Sequence, residues 1–198
     1  MFDKVRMICE GYADKRFLRD FIDIHYSVII NDEVLNENNL IRNIGSWTNL
    51  TKERVSITQV NSNYKTLIFL DADDETTKEK NGLKKTKEFV DSLMAGWNWT
   101  LYDVFVLPNN ERETGSIEDL FENIINKHNE EIFTCWDDYE NCIESYSKYK
   151  IPAKKSKIYT YTECMNALGN YDFKDTRLWD LNSPYLNPLK EFINNNIV

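Results

Sequence analysis

The chain has few of the residues that form zinc sites, disulfide frameworks or histidine-based catalytic sites. It contains only 4 cysteines and 2 histidines in 198 residues. The cysteines are widely spaced, and no two of them form a C-x-x-C pair. A zinc site is therefore not expected, and the cysteines are predicted to be reduced thiols in a cytoplasmic protein. With His25 and His128 as the only histidines, a histidine general base is not expected either.

Long apolar runs, targeting segments and nucleotide-binding loops are also lacking. The apolar runs are only a few residues long, whereas a membrane-spanning helix requires roughly 20. No secretory signal is recognisable at the start of the chain. The G-x-x-x-x-G-K-[ST] phosphate loop is absent as well, which argues against a built-in P-loop ATPase.

Positive charge is scarce relative to negative charge. The chain has 24 Lys and Arg against 33 Asp and Glu, a formal net charge of −9. A broad basic surface for nucleic acid is not expected, because phosphate binding depends on clustered Lys and Arg. The charge argues less strongly against an enzyme, since acids that bind a divalent ion inflate the negative charge.

The pattern of apolar residues over the first half of the chain predicts an α/β fold. Nearly unbroken apolar runs at 5–9, 66–70 and 101–107 are typical of parallel strands covered on both faces. Helical spacing at 14–26 and 83–94 predicts helices after the first two of these strands. Alternation of Val55, Ile57 and Gln59 with polar residues predicts an edge strand, and residues 31–50 show no clean period.

The second half of the chain has a helical pattern. Apolar residues recur at helical spacing over 117–125, 132–146 and 158–168, and the tail carries enough apolar residues for a short packed helix. Ser116 and Asp119 have the spacing of a capping box. We therefore predict an α/β core over residues 1–125 and a helical extension, residues 126–198, that packs on it.

Acidic residues follow the predicted strands. Glu10, Gly11 and Asp14 follow the first strand, and Asp71 and Asp73 follow a later one. Ligands of parallel α/β sheets bind beyond the carboxyl ends of the strands, so these acids are expected to converge there. Converging carboxylates repel one another unless a cation joins them, and oxygen ligands suit Mg²⁺ or Mn²⁺.

Each acidic segment also has a purely structural interpretation. Asp14 would cap a helix, and Asp71 and Asp73 would belong to a polar turn. Glu118 and Asp119 lie in a predicted first helical turn, where acids are favoured anyway. By itself, the structural interpretation is the stronger one for Glu118 and Asp119, and only the conjunction of the segments favours a metal site.

Together these motifs resemble the Toprim domain. The family has a strand-end glutamate followed by glycine, here Glu10 and Gly11, and a strand-end Asp-x-Asp, here Asp71 and Asp73. Asp14 and the segment Gly115-Ser116-Ile117-Glu118-Asp119 are similar to the version found in OLD (overcoming lysogenization defect) family nucleases and in small stand-alone Toprim-like proteins. The resemblance implies a Rossmann-like parallel sheet and Mg²⁺-dependent phosphodiester chemistry. OLD nucleases usually carry an ATPase domain, so an ATPase or another protein is an expected partner.

A lysine-rich stretch without acids extends from Ser145 to Thr162. It would contact a phosphate backbone, with tyrosines 146, 149, 159 and 161 stacking on bases. Alternatively, it is a solvated lysine face whose tyrosines pack inward, which is the more common arrangement. The OLD resemblance implies a transition-state-stabilising lysine in this stretch, without selecting among Lys154, Lys155 and Lys157.

The leading hypothesis is a metal-dependent nuclease in which Glu10 and Asp71 are central to catalysis. One or two Mg²⁺ or Mn²⁺ ions would be held by five carboxylates, those of Glu10, Asp14, Asp71, Asp73 and Glu118. DNA is favoured over RNA as the substrate, and no membrane partner is expected. The alternatives are a catalytically inactive or nucleotide-binding Toprim-like subunit of a larger complex, and phosphoryl transfer on a small nucleotide.

Overall fold

A parallel sheet forms the centre of the molecule. A computed structural model describes residue 2 and residues 4–29, 40–60, 62–73, 82–167 and 172–197. Within these residues a 4-stranded sheet has the order β2-β1-β3-β4, and all neighbouring strands are parallel. The strands are β1 (Val5–Cys9), β2 (Ile41–Asn43), β3 (Lys65–Asp71) and β4 (Tyr102–Leu107).

Both faces of the sheet are buried, which explains the apolar runs in its sequence. Alternate side chains of a strand point to opposite faces. Thus Met7 and Phe69 belong to one apolar cluster, whereas Ile8 and Ile68 belong to another. The predicted strands at 5–9, 66–70 and 101–107 are confirmed as β1, β3 and β4.

Helices cover the two faces of the sheet. Val90 and Met94 of α2 (Gly82–Gly96) belong to the cluster on one face. Phe17 and Phe21 of α1 (Tyr12–Tyr26) belong to the cluster on the other face. The remaining α-helices in the described part of the chain are α3 (Ile117–Glu122), α4 (Glu130–Glu144), α5 (Lys154–Cys164) and α6 (Asn187–Asn196). The predicted α/β class, a parallel sheet flanked by helices, is confirmed.

The predicted edge strand at residues 55–59 is wrong. Residues Trp47–Glu53 form a 3₁₀ helix, and Ser56–Val60 continue in a wider helical turn. Leu50, Glu53 and Ile57 are buried at helical spacing, whereas Val55 is 55% exposed. A charged residue contributes to the buried face, because Glu53 forms ion pairs with Arg6 and Arg42. The apolar residues alone therefore suggested the two-residue period of a strand, whereas the segment has the period of a helix.

The C-terminal residues belong to the same apolar cluster as α1. Tyr161, Phe173 and Trp179 are buried in it together with Phe17 and Phe121. The short helix predicted for the tail is α6, and the helices predicted around 132–146 and 158–168 correspond to α4 and α5. The extension therefore packs on the core, while its boundary at residue 125 stays a prediction.

The helix predicted at 117–125 ends earlier, at Glu122. Two backbone hydrogen bonds explain why the helix ends there. The amide of Asp180 donates to the carbonyl of Ile124, and the amide of Asn126 donates to the carbonyl of Leu178. These bonds join the chain after α3 to the tail and prevent a further helical turn. None of the helices described is both long and apolar enough to cross a membrane.

Candidate functional site

A cleft of about 250 Å³ lies at the carboxyl end of the sheet. Four carboxylate residues line it, Glu10, Asp14, Asp71 and Glu118. Glu10 and Asp14 follow β1, whereas Asp71 ends β3, and these two parallel strands are neighbours. The convergence predicted from the sequence therefore exists for four of the five candidate metal ligands.

The Glu10 carboxylate joins three segments of the chain. Its Oε1 accepts a hydrogen bond of 3.1 Å from the amide of Asp71, and its Oε2 accepts one of 3.1 Å from the amide of Trp47. The Glu10 carbonyl also accepts a bond of 2.7 Å from the amide of Gly45. Glu10 is thus fixed in orientation by the backbone around the cleft and is not a solvated surface acid.

Asp14 is a buried acid with an unsatisfied oxygen. Its Oδ2 accepts a hydrogen bond of 3.1 Å from the amide of Gly11, which confirms the capping interpretation. Its side chain is nevertheless buried, the residue being 3% exposed, and Oδ1 has no hydrogen-bond partner among the described residues. Burial, together with the negative charges of Glu10 and Glu118, raises the pKa of Asp14 to about 7.

Gly11 is required by the close approach of Asp14. A Cβ atom at this position would lie 2.6 Å from Oδ2 of Asp14. Any larger residue would therefore displace the carboxylate from the start of α1.

Asp71 connects the end of β3 to the start of α3. Its Oδ1 accepts a hydrogen bond of 2.9 Å from the amide of Ile117. Glu118, the next residue, lines the cleft. This bond explains how a glutamate distant in sequence comes to lie beside the acids that follow β1 and β3.

Asp73 differs from the other candidate ligands in its position. It pairs with Gly115 in an isolated antiparallel bridge, and its φ angle is +58°. Side chains of an Asp-x-Asp pair point to the same side only along extended backbone. The structure does not include Asp73 in the lining of the cleft, and its role as a metal ligand stays a prediction.

The three candidate lysines have different contacts in the structure. Lys155 lines the acidic cleft, where its Nζ lies 5.5 Å from the ring centroid of Tyr159. Lys154 Nζ donates hydrogen bonds of 2.9 and 3.0 Å to the two carboxylate oxygens of Asp119. Lys157 Nζ is 2.8 Å from Asp137 Oδ1 and 3.5 Å from Glu122 Oε2.

Asp119 has a structural role at the start of α3. Its Oδ2 accepts a hydrogen bond of 2.8 Å from the amide of Ser116, as the predicted capping box requires. Burial tends to raise the pKa of Asp119, but hydrogen bonds from Lys154 and Ser116 outweigh it and hold that pKa below its ordinary value. Lys154 therefore forms an ion pair that joins α5 to α3, as Lys157 does through Glu122.

The tyrosines of the lysine-rich stretch differ in how far they are buried. Tyr161 is fully buried and donates a hydrogen bond of 2.6 Å to the carbonyl of Leu178. Its predicted role in base stacking is therefore wrong, since its ring belongs to the core. Tyr146, Tyr149 and Tyr159 are exposed.

Sequence reasoning missed two parts of the cleft wall. Gly45 and Tyr12 both line it. Gly45 has a φ of +80°, and it lies in a segment without a recognisable period. A glycine in an asparagine-rich segment was the one local signal for this turn.

The donor set of the cleft fits Mg²⁺ or Mn²⁺. All four lining carboxylates offer oxygen ligands, which hard divalent ions prefer. Oδ1 of Asp14 has no hydrogen-bond partner among the described residues, and burial with the charges of Glu10 and Glu118 raises the pKa of this residue, so its charged form is disfavoured unless a cation is bound nearby. The described residues do not, however, contain a preformed group of three metal-ligating side chains.

Comparison with known proteins identified no relative of the chain. No family model matches it, and no curated protein or solved structure is significantly similar. A functional assignment therefore depends on the cleft and on the motifs that line it.

Asp14 is expected to make the stability of the metal-free protein depend on pH. The folded protein retains the Asp14 proton up to about pH 7, whereas the unfolded chain releases it near pH 4. The free energy of unfolding should therefore fall as pH rises from about 4 to about 7. Asp14→Asn should remove this contribution and raise the free energy of unfolding at pH 8 by as much as about 4 kcal/mol.

Chemical denaturation at several pH values in the presence of a chelator measures this effect. Asp138→Asn, a change at an exposed carboxylate of α4, is the matched control and should keep the parental pH dependence. An Asp14→Asn variant with the same pH dependence as the parent would contradict the raised pKa.

Proposed function

We propose that the protein is a Toprim-type, metal-dependent nuclease that hydrolyses phosphodiester bonds in the acidic cleft. One observation carries the proposal. Two neighbouring parallel strands end in the Glu10-Gly11 and Asp71-Ala72-Asp73 motifs, and carboxylates from both motifs line one cleft. The strand-end position and the motif resemblance therefore support the same site.

Glu10, Asp14, Asp71 and Glu118 would hold the Mg²⁺ or Mn²⁺, and Asp73 is a further candidate. When bound, the ion would activate water and neutralise charge on the phosphate. The hydrogen bonds to Glu10 and Asp71 fix the direction of these carboxylates before substrate arrives. Such preorganisation lowers the reorganisation needed during the reaction.

Lys155 would supply positive charge to the scissile phosphate. It is the candidate lysine that lines the cleft, whereas Lys154 and Lys157 are held by Asp119 and by Asp137 and Glu122. A cation positioned where negative charge develops stabilises the transition state. Lys154 acts instead as a positioning residue, because its ion pair joins α5 to α3.

DNA is the favoured substrate, with an ATPase or another protein as partner, as in the resemblance to OLD nucleases. A cytoplasmic location is supported by the cysteines, since all four are free thiols in the structure.

A second function is favoured by a different observation. The described residues lack a preformed group of three metal ligands, and both Glu10 oxygens accept backbone hydrogen bonds. These features would suit a Toprim-like subunit that binds a nucleotide or one weakly held ion without cleaving a substrate. The two functions differ in whether a phosphodiester bond is broken.

A cleavage assay with Mn²⁺ tests the proposal. Plasmid, single-stranded DNA, RNA and nucleoside triphosphates are incubated with the parent protein and with Glu10→Ala, each with and without chelator. We expect the parent to cleave a polynucleotide only with metal and Glu10→Ala to be inactive. Metal-dependent binding of nucleotides by a parent protein that cleaves no polymer would favour the non-cleaving subunit.

A further inference from the structure

Two exposed tyrosines lie on the wall of the acidic cleft. Tyr12, the first residue of α1, is 56% exposed, and Tyr159 of α5 is 37% exposed. Both line the cleft that contains Glu10 and Asp71. Aromatic rings thus reach the cleft from two different helices.

A basic side chain lies close to each of these two rings. Arg16 Cζ lies 5.1 Å from the ring centroid of Tyr12, and Lys155 Nζ lies 5.5 Å from that of Tyr159. These distances are within the range of cation–π interactions. An aromatic face with an adjacent cation is suited to a nucleotide, since the ring stacks on the base and the cation attracts the phosphate.

A third pair of the same kind precedes α5. Lys148 Nζ lies 4.8 Å from the ring centroid of Tyr149, and the Tyr149 ring lies 6.0 Å from that of Tyr146. Tyr149 is exposed. The chain between Tyr149 and Lys154 spans at most about 18 Å when fully extended. The segment before α5 therefore carries a further exposed aromatic ring with an adjacent cation.

We propose that the cleft binds single-stranded nucleic acid. One phosphate of the strand would lie at the carboxylates of the cleft, and Tyr12 and Tyr159 would stack on the bases that flank this phosphate. The assignment of that phosphate to the carboxylates rests on the proposed function. In a duplex the faces of each base are covered by the neighbouring base pairs, so rings that stack on bases at the cleft require an unpaired, unstacked strand.

The charge distribution also favours a single strand over a duplex. Affinity for duplex DNA depends on many phosphate contacts by Lys and Arg. In this protein, Lys154 and Lys157 are neutralised by Asp119, Glu122 and Asp137, and the net charge is −9. Stacking is therefore expected to contribute a larger share of the affinity than phosphate contacts do.

Fluorescence anisotropy with labelled oligothymidine and with a hairpin duplex of equal length tests the proposal. Binding is measured in Ca²⁺ for the parent, Tyr12→Ala, Tyr159→Ala, the two corresponding Phe variants and Tyr139→Ala. Tyr139 is an exposed tyrosine of α4 and serves as the matched control. We expect each cleft Ala variant to bind oligothymidine about 5- to 100-fold more weakly. The Phe variants and Tyr139→Ala should bind like the parent.

The outcomes separate this inference from the proposed function. Equal or tighter binding of the duplex by the parent, or parental affinity in both cleft Ala variants, would overturn the inference. Metal-dependent cleavage would still support the nuclease in that case. Tyrosine-dependent binding of oligothymidine without cleavage of any polymer would support the binding inference and contradict the nuclease.

Discussion

Asp71→Asn is expected to lower metal-dependent cleavage by about 10³-fold or more. The substitution keeps the shape of the side chain, and an asparagine oxygen can still accept the hydrogen bond from the amide of Ile117. What it removes is one negative charge from a cleft lined by three other carboxylates. The variant should therefore fold normally and bind the divalent ion poorly.

The same variant is expected to be more stable than the parent in the absence of metal. Removing one of several like charges relieves repulsion that the metal-free protein carries. Asp138→Asn again serves as the control, because it removes a charge from the exposed surface of α4. Thermal unfolding in chelator and cleavage rates in Mn²⁺ are measured for all three proteins. An Asp71→Asn variant with full activity would remove Asp71 from the mechanism.

Lys155→Ala is expected to lower kcat by about 10²-fold while KM changes little. Lys155 is placed at the cleft, where charge would develop on the phosphate. Lys157→Ala is the matched control, since this lysine of the same helix is paired with Glu122 and Asp137. Its loss should leave kcat within a few-fold of the parent.

Lys154→Ala distinguishes positioning from catalysis at this helix. Loss of the ion pair to Asp119 should mainly affect the packing of α5 against α3. A larger loss of kcat in Lys154→Ala or Lys157→Ala than in Lys155→Ala would contradict the assignment. Single-turnover rates for the three variants, compared at saturating substrate, decide between them.

The sequence predicted the sheet where its pattern was strongest. β1, β3 and β4 are covered on both faces, and this burial leaves nearly unbroken apolar runs. The acids at the ends of β1 and β3 were identifiable because ligands of such sheets bind at the strand ends. The convergence of Glu10, Asp14 and Asp71 follows from the parallel register of β1 and β3, whereas Glu118 is brought to the cleft by the hydrogen bond from the amide of Ile117 to Asp71.

Other elements depend on contacts that local patterns do not record. β2 has only 3 residues, too few to show a period. The helical turns after it bury Glu53 through ion pairs, so a charged residue lies on their inner face. The selection of Lys155 over its neighbours likewise required the packing of α5, since the acids that hold Lys154 and Lys157 are distant in sequence.

Anomalous diffraction from crystals soaked in Mn²⁺ would test the central claim most directly. The claim is that the carboxylates of the cleft bind a divalent ion. We predict an anomalous peak between the carboxylates of Glu10 and Asp71 in the parent protein. The peak should be lost in isomorphous crystals of Asp71→Asn. A fully soaked parent crystal without a peak in the cleft, or with a peak only elsewhere on the molecule, would contradict the account.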